Sequence, residues 1–393
     1  MNRLLEGIRV LDLSNVLAGP FCGYQLALLG ADVIKVESPD GGDLARQLGA
    51  DAALNREGMG ASFLAQNADK RSIVVDLKAE AGRQTFLQLV READVVLENF
   101  RPGVMKRLGL DHEALRQVKP GLIYCAISGF GQDGPLARAP AYDQIIQGRS
   151  GVMSITGDAG SAPLRVGYPV CDTVGGLTAA FAICAALVRR LQTGEGAFLD
   201  VSMLDASLAS MGWVVSNLLV AGQPPVPMGN DNFTASPSGT FRTGGGLLNI
   251  AANKQAQFET LCELVGAPEL KADPRFAGRE DRKRHRDALR VALEARLAEA
   301  DAATWEARLN AAGVPAGQVL DVAQALAQPQ VAQRGLVARV PFGWAGREAL
   351  GLTAGPFLVD GERPAPRRRP PQLGEHDDEI LRELASTTTR ATP

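Results

Sequence analysis

Five short, largely apolar runs recur through the first 131 residues: IRVLDL (8–13), DVIKVE (32–37), RSIVVDL (71–77), DVVLENF (94–100) and GLIYCAISGFG (121–131). Between them lie stretches of helical pattern such as GYQLALLG and AGRQTFLQLVREA. Each run is short for a helix, rich in branched apolar residues and bounded by Gly, Pro, Asn or Asp, the signature of a buried strand. Strands separated by whole helices are too far apart in sequence for hairpins and pair in parallel through crossovers. The pattern predicts an α/β fold with a parallel sheet and helices on both faces. In such sheets ligands sit where loops leave the strand ends.

The pattern then changes. Residues 172–190 read as one helix, and Gly175, Gly176, Ala179, Ala180, Ala182, Ala185 and Ala186 permit close packing along it. Its apolar core, Val174–Val188, falls short of the roughly 18 residues a bilayer span requires, so a buried helix is expected. GAFLDVSMLDASLASMGWVVSNLLVAG predicts a strand and one long helix, and the Gly, Pro, Asn and Ser of residues 222–245 a linker into a second domain. A length of 393 residues fits two domains. RPAPRRRPP reads as a solvated extended connector, and the tail ASTTTRATP as disordered.

Composition narrows the function. Hydrophobic residues make up 46% and charged residues 22%, with a net charge of −3, a balance that calls for neither nucleic acid nor an anionic membrane. A local cationic site for a phosphorylated ligand stays open. Charges occupy residues 1–10 where a leader's apolar core would lie. Five dispersed cysteines without CxxC spacing argue for reduced thiols and a cytoplasmic protein. His112, His285 and His376 show no metal-ligand spacing, which argues against a metal centre and a Ser-His-Asp triad.

Three candidate chemistries remain. The first βα turn, SNVLAGPFCG, lacks the GxGxxG glycines of a dinucleotide site, although Glu37 ends the second strand where a ribose-binding acid would stand. Cys171 has an acid as its neighbour and no nearby histidine, so it reads as packing and not as a nucleophile. Asp172 has two readings. It caps a helix beginning near Thr173, or it is a carboxylate nucleophile at a helix N-terminus whose dipole keeps it ionised.

Ten stretches, in order along the chain, resemble CoA-transferase family III, the CaiB/BaiF family. They are LEGIRVLDLSNVLAGP, GADVIKVESPDGGD, NADKRSIVVDLK, DVVLENFRPGVMKRLGL, LIYCAISGFGQDGP, AYDQIIQGRSG, VGYPVCDTVGG, SGTFRTGGG, GVPAGQV and PPQLGEHDDEIL. The resemblance places the family's aspartate nucleophile on Asp172 and implies transfer of CoA through mixed-anhydride and aspartyl-CoA intermediates. A coenzyme A thioester is then a substrate, with no permanently bound cofactor and no metal. It also implies that Asn15, Val16 and Leu17 lie near the thioester. Val75 and Lys78 hold the nucleotide, Asn99, Phe100 and Arg101 line the same cleft, Arg107 meets phosphate, and Tyr142 and Asp143 border the acyl end.

Departures from the family pattern sharpen the expectation. Leu17 stands where formyl-CoA transferases carry glutamine, and NDNFTASPSGT replaces their four-glycine flap, which disfavours a formyl-CoA and oxalate pair. Tyr142 stands where α-methylacyl-CoA racemases carry histidine, and a phenol of pKa near 10 is a poor base for removing an α-proton. The pattern is nearest to members acting on dicarboxylates, such as succinyl-CoA with glutarate- or itaconate-type acceptors. A racemase or epimerase and a non-catalytic acyl-CoA-binding protein are the alternatives. The implied architecture is an interlocked homodimer. Each chain has a Rossmann-like large domain (1–200, completed by about 325–385), a linker helix (201–223), a small α+β domain (224–320) and a disordered tail (386–393).

Overall fold

The structure, a computed structural model, describes residues 4–390. Six strands form one parallel sheet: β1 (Arg9–Asp12), β2 (Asp32–Glu37), β3 (Arg71–Val74), β4 (Val95–Glu98), β5 (Ile123–Ser128) and β6 (Ala197–Ser202), in the order β3-β2-β1-β4-β5-β6. Val10 of β1 pairs with Val33 of β2 and Val95 of β4, so β1 and β4 flank the point where the strand order reverses.

Alternate residues along each strand serve opposite faces, and both faces are apolar. Val10, Val33, Val95, Ile123 and Cys125 pack toward one core, with Cys22 and Leu26 of the helix Ala18–Leu28 and Ala179 and Ile183 of the helix Val170–Thr193. Leu11, Ile34, Val96 and Tyr124 pack toward the other, with Phe86, Leu89 and Val90 of the helix Glu80–Glu92. Each fully buried aliphatic side chain contributes about 1.5–3 kcal/mol. The helices Ala18–Leu28 and Val170–Thr193 touch closely because Gly176 lacks a side chain: a Cβ there would lie 2.5 Å from the Ala18 carbonyl oxygen.

The helix expected over 172–190 runs Val170–Thr193, starting two residues earlier and ending three residues later. It is long and apolar enough to cross a bilayer by length and composition, yet one face is buried in the sheet's core. The single long helix expected after β6 is two helices, Met203–Ser210 and Gly212–Ala221, bent by 75°. Met211 and Gly212 lie at the break.

The chain divides into two compact units. One comprises residues up to Val152, Arg165–Gln223 and Pro329 onward; the other comprises Met153–Leu164 and Pro224–Gln328. The second is built on the antiparallel strands β7 (Ser238–Arg242), β8 (Leu247–Ala251) and β9 (Ala316–Gln318). Its core gathers Phe258, Phe276, Leu289, Leu293 and Trp305, whose indole N–H donates to the Leu297 carbonyl at 2.8 Å.

In the first unit, the C-terminal segment closes the edge of the sheet. The Val74 N–H donates to Asp377 at 2.8 Å, the His376 N–H to the Ser72 carbonyl at 3.0 Å, and Arg71 pairs with Glu379 and Glu383. These contacts belong to the helix Asp377–Arg390 and its approach. Disorder was expected from residue 386, but this helix carries regular structure to Arg390, and residues 391–393 lie outside the described residues. The arginine-rich connector is also fixed: the N–H groups of Arg367 and Arg368 donate to the Asp69 carboxylate.

Candidate active site

The loop leaving β1 carries a strained residue. Val16 has φ +67°, a left-handed conformation costly for a β-branched side chain. Hydrogen bonds hold it there. The Val16 N–H donates to Asp43 at 2.9 Å, the Asn15 N–H to the Asn99 side-chain oxygen at 2.8 Å, and the Asn99 amide back to the Asn15 carbonyl at 2.8 Å.

Behind the loop lies a buried ionic network. Lys35 pairs with Asp43 at 2.9 Å and donates to the Ser14 carbonyl at 2.8 Å; Lys70 pairs with Asp12 at 2.8 Å. Burial pushes the Asp12 and Asp43 carboxyls up, but the lysine charges outweigh it and hold both below their ordinary range. Glu37 accepts from Arg46, Ser72 and the Asp43 N–H. The acid that a dinucleotide reading would assign to ribose is therefore occupied by the protein itself.

At the carboxyl ends of β1, β2, β3 and β4, Asn15, Val75, Lys78, Phe100 and Arg107 line one cavity of about 340 Å³, together with Ser38 and Asp76. This is the ligand position of this strand order. Lys78 is 81% exposed and its nearest acid, Asp40, is 3.7 Å away, a weak surface pair. Arg101 lies on a neighbouring cavity of about 610 Å³ with Glu98 and Arg138, and Arg107 lines both. Asn99 spends its amide on the Asn15 backbone, which makes it the clamp of the loop. Leu17 is the N-cap residue of the helix Ala18–Leu28.

The helix bearing Asp172 begins at Val170 with Pro169 at its cap, so Asp172 stands in the first turn and does not cap it. The cap comes from another element. The Asp143 carboxylate, on the helix Asp143–Arg149, accepts from the Cys171 N–H at 2.9 Å and, more loosely, from the Asp172 N–H at 3.4 Å. Asp143 is buried, whereas Tyr142 beside it is 66% exposed.

Asp172 itself is half-buried, and among the described residues nothing hydrogen-bonds its carboxylate. Burial, then the Asp143 charge, pushes its carboxyl from 3.8 up to about 7. The Cys171 and Asp172 N–H groups of this first turn, expected from the sequence to favour an ionised Asp172, are taken by Asp143. Cys171 is buried, and burial pushes its thiol up, as befits packing.

Sequence reasoning passed over Asp12, Asp43, Lys70 and Gln147. The first had a visible signal: Asp12 and Lys35 interrupt apolar strand runs, where a charge must find a partner.

A parallel sheet of this strand order, with a cleft at its carboxyl ends, is an α/β ligand-binding fold. The chain belongs to CoA-transferase family III, matched over residues 5–377. It is 38% identical over 393 residues to the succinate–glutarate CoA-transferase of Agrobacterium fabrum, covering 99% of this chain and 98% of that one. It is 40% identical over 383 residues to the acetyl-CoA:oxalate CoA-transferase of Acetobacter aceti, covering 97% and 96%. A CaiB/BaiF family protein from Brucella suis shares the fold with a TM-score of 0.86 and 38% identity, over 98% of this chain and 100% of that one. The protein is a CoA-transferase.

Proposed function

We propose that the enzyme moves CoA from an acyl-CoA, with succinyl-CoA the leading donor, to a dicarboxylic acid, using Asp172 as nucleophile. The observation that carries this reading is the half-buried Asp172 carboxyl at a helix start, basic and unbound by any described side chain. The names of its relatives support the acid class: succinate, glutarate, oxalate and mesaconate all carry two carboxylates.

The chemistry balances without metal, ATP or net proton transfer. An Asp172 oxygen attacks the thioester carbonyl carbon, the C–S bond breaks, and CoA thiolate leaves an aspartyl–acyl anhydride. The thiolate then attacks the aspartyl carbonyl and releases the donor carboxylate, leaving aspartyl-CoA. The acceptor carboxylate attacks that thioester, and the same two steps in reverse give the new acyl-CoA and free Asp172. A carboxyl near 7 is about half ionised at neutral pH and more nucleophilic than an ordinary aspartate. The Asn15, Val75, Lys78, Phe100 and Arg107 cavity is the place for the CoA nucleotide, where Lys78 and Arg107 meet phosphate.

The working form is a homodimer in this reading. The helix Gly212–Ala221 has no buried residue and exposes Trp213, Leu218, Leu219 and Val220, apolar surface that a second copy would cover. A cytoplasmic location fits the five free thiols.

The test is direct. Succinyl-CoA is incubated with the enzyme and hydroxylamine, and the peptide bearing Asp172 is weighed; a hydroxamate at Asp172 is expected. An unmodified peptide after productive turnover refutes the covalent route. Exchange assays of succinyl-, acetyl- and formyl-CoA against glutarate, itaconate, oxalate and acetate identify the pair.

A further inference from the structure

Asp172 is fixed by side chains outside its own helix. Pro169 at the cap provides no side-chain hydrogen bond, which leaves the Cys171 and Asp172 N–H groups without a partner on their own helix. One oxygen of Asp143 takes the Cys171 and Asp172 N–H groups. Its other oxygen accepts from the Gln147 amide at 2.6 Å, and the Arg165 guanidinium lies 3.7 Å from it.

Gln147 is fully buried and has every side-chain role filled. Besides Asp143, its amide nitrogen donates to the Tyr168 carbonyl at 3.3 Å, and its oxygen accepts from the Val166 N–H at 2.9 Å. One side chain thus ties the Asp143 carboxylate to the segment that leads into the Asp172 helix. A buried amide with all three contacts made is a rigid strut, since any rotation strands a buried polar group.

We propose that Asp143 and Gln147 are positioning residues for the transfer reaction: Asp143 locks the first helical turn on which Asp172 stands, and Gln147 locks Asp143. This rests on Asp172 being the nucleophile. Asp143 acts in a second way. By occupying the helix's free donors it withholds them from Asp172, whose carboxylate then keeps its basicity for attack on the thioester.

Other groups around the turn leave the electrostatics to this pair. Ser150 and Ser207 contact the Cys171 thiol. The packed helix Met203–Ser210 sets Met203 against Gly175, and its one charged residue, Asp205, is exposed. The helix Ala18–Leu28 presents Ala18 and Phe21 to Gly176, and its titratable Cys22 and Tyr24 are buried. Arg165 is the single cation paired to Asp143 among the described residues.

The test compares Asp143→Ala, Asp143→Asn and Gln147→Ala with wild type and Asp172→Asn in a CoA-exchange assay across pH, with unfolding midpoints as a folding control. Asp143→Ala lowers kcat on the order of 10- to 100-fold while KM for acyl-CoA changes by about twofold or less. Asp143→Asn keeps an oxygen for the helix N–H groups but turns its NH2 toward the Gln147 amide donor, so it recovers part of kcat. It also loses the charge, so the acid limb of the pH profile moves down by about one unit. Gln147→Ala lowers kcat with KM held. A folded Asp143→Ala with wild-type kcat overturns the proposal. So does an Asp143→Asn enzyme whose acid limb stays in place, which keeps the test decisive should the alanine variant fail to fold. Activity in Asp172→Asn would instead remove the nucleophile reading beneath it.

Discussion

Replacing Asp172 by Asn should make the protein more stable as it abolishes transfer, and by an amount that depends on pH. The folded chain holds the Asp172 proton up to about pH 7, against 3.8 for an ordinary aspartate. Folding therefore favours the protonated form. Stability from this group is full below pH 3.8, falls as pH rises, and is lost above about 7. Each pH unit in that window costs about 1.4 kcal/mol, so wild type loses about 3 kcal/mol between pH 5 and 8 from Asp172 alone. Asparagine has a similar shape and does not titrate, so the variant loses none of this. Urea unfolding of both proteins at several pH values, followed by circular dichroism and by hydrogen exchange in the 170–193 peptides, measures the gap. It should widen by about 3 kcal/mol from pH 5 to 8 in favour of Asp172→Asn. A gap that stays constant across that range refutes the claim that the carboxylate is held at a cost.

Three other outcomes are expected. Lys70→Met leaves Asp12 buried and unpaired and should cost about 3–5 kcal/mol in urea unfolding, with much of the loss recovered in Asp12→Asn/Lys70→Met. Asn99→Ala removes both bonds that hold Asn15 beside strained Val16; KM for acyl-CoA should rise about tenfold, read by steady-state exchange, while the unfolding midpoint moves little. Leu219→Glu with Val220→Glu places charge on the exposed apolar helix and should convert the proposed dimer to a monomer in light scattering.

The parallel sheet was legible because its strands are buried on both faces and therefore read as apolar runs, and β2 matched DVIKVE residue for residue. The break at Met211–Gly212 was not, since both helices are apolar and no proline marks the bend. Asp172 was singled out by the family resemblance, since its residues alone read equally as a helix cap. Its basicity was not visible, because it depends first on burial by the fold and then on the charge of Asp143, 29 residues away in sequence. Likewise Asn99 and Arg101 stand two apart, yet one clamps a loop and the other faces a different cavity. Sequence put residues of the right chemistry in one neighbourhood; which atoms are spent on the protein itself is decided by packing.

The mooring of β3 by residues 372–383 bears on how the enzyme is made. Ser72 joins the Glu37 cluster to the Gly374 N–H, so a strand encoded early is completed by a residue 302 positions later. During synthesis the outer strand of the sheet has an open hydrogen-bonding edge, a template for aggregation until residues 372–383 emerge. A nascent chain stalled before residue 372 should still lack these contacts to β3, whereas an insertion near Ala345, in the turn between the paired strands Val337–Trp344 and Arg347–Thr353, should leave them intact.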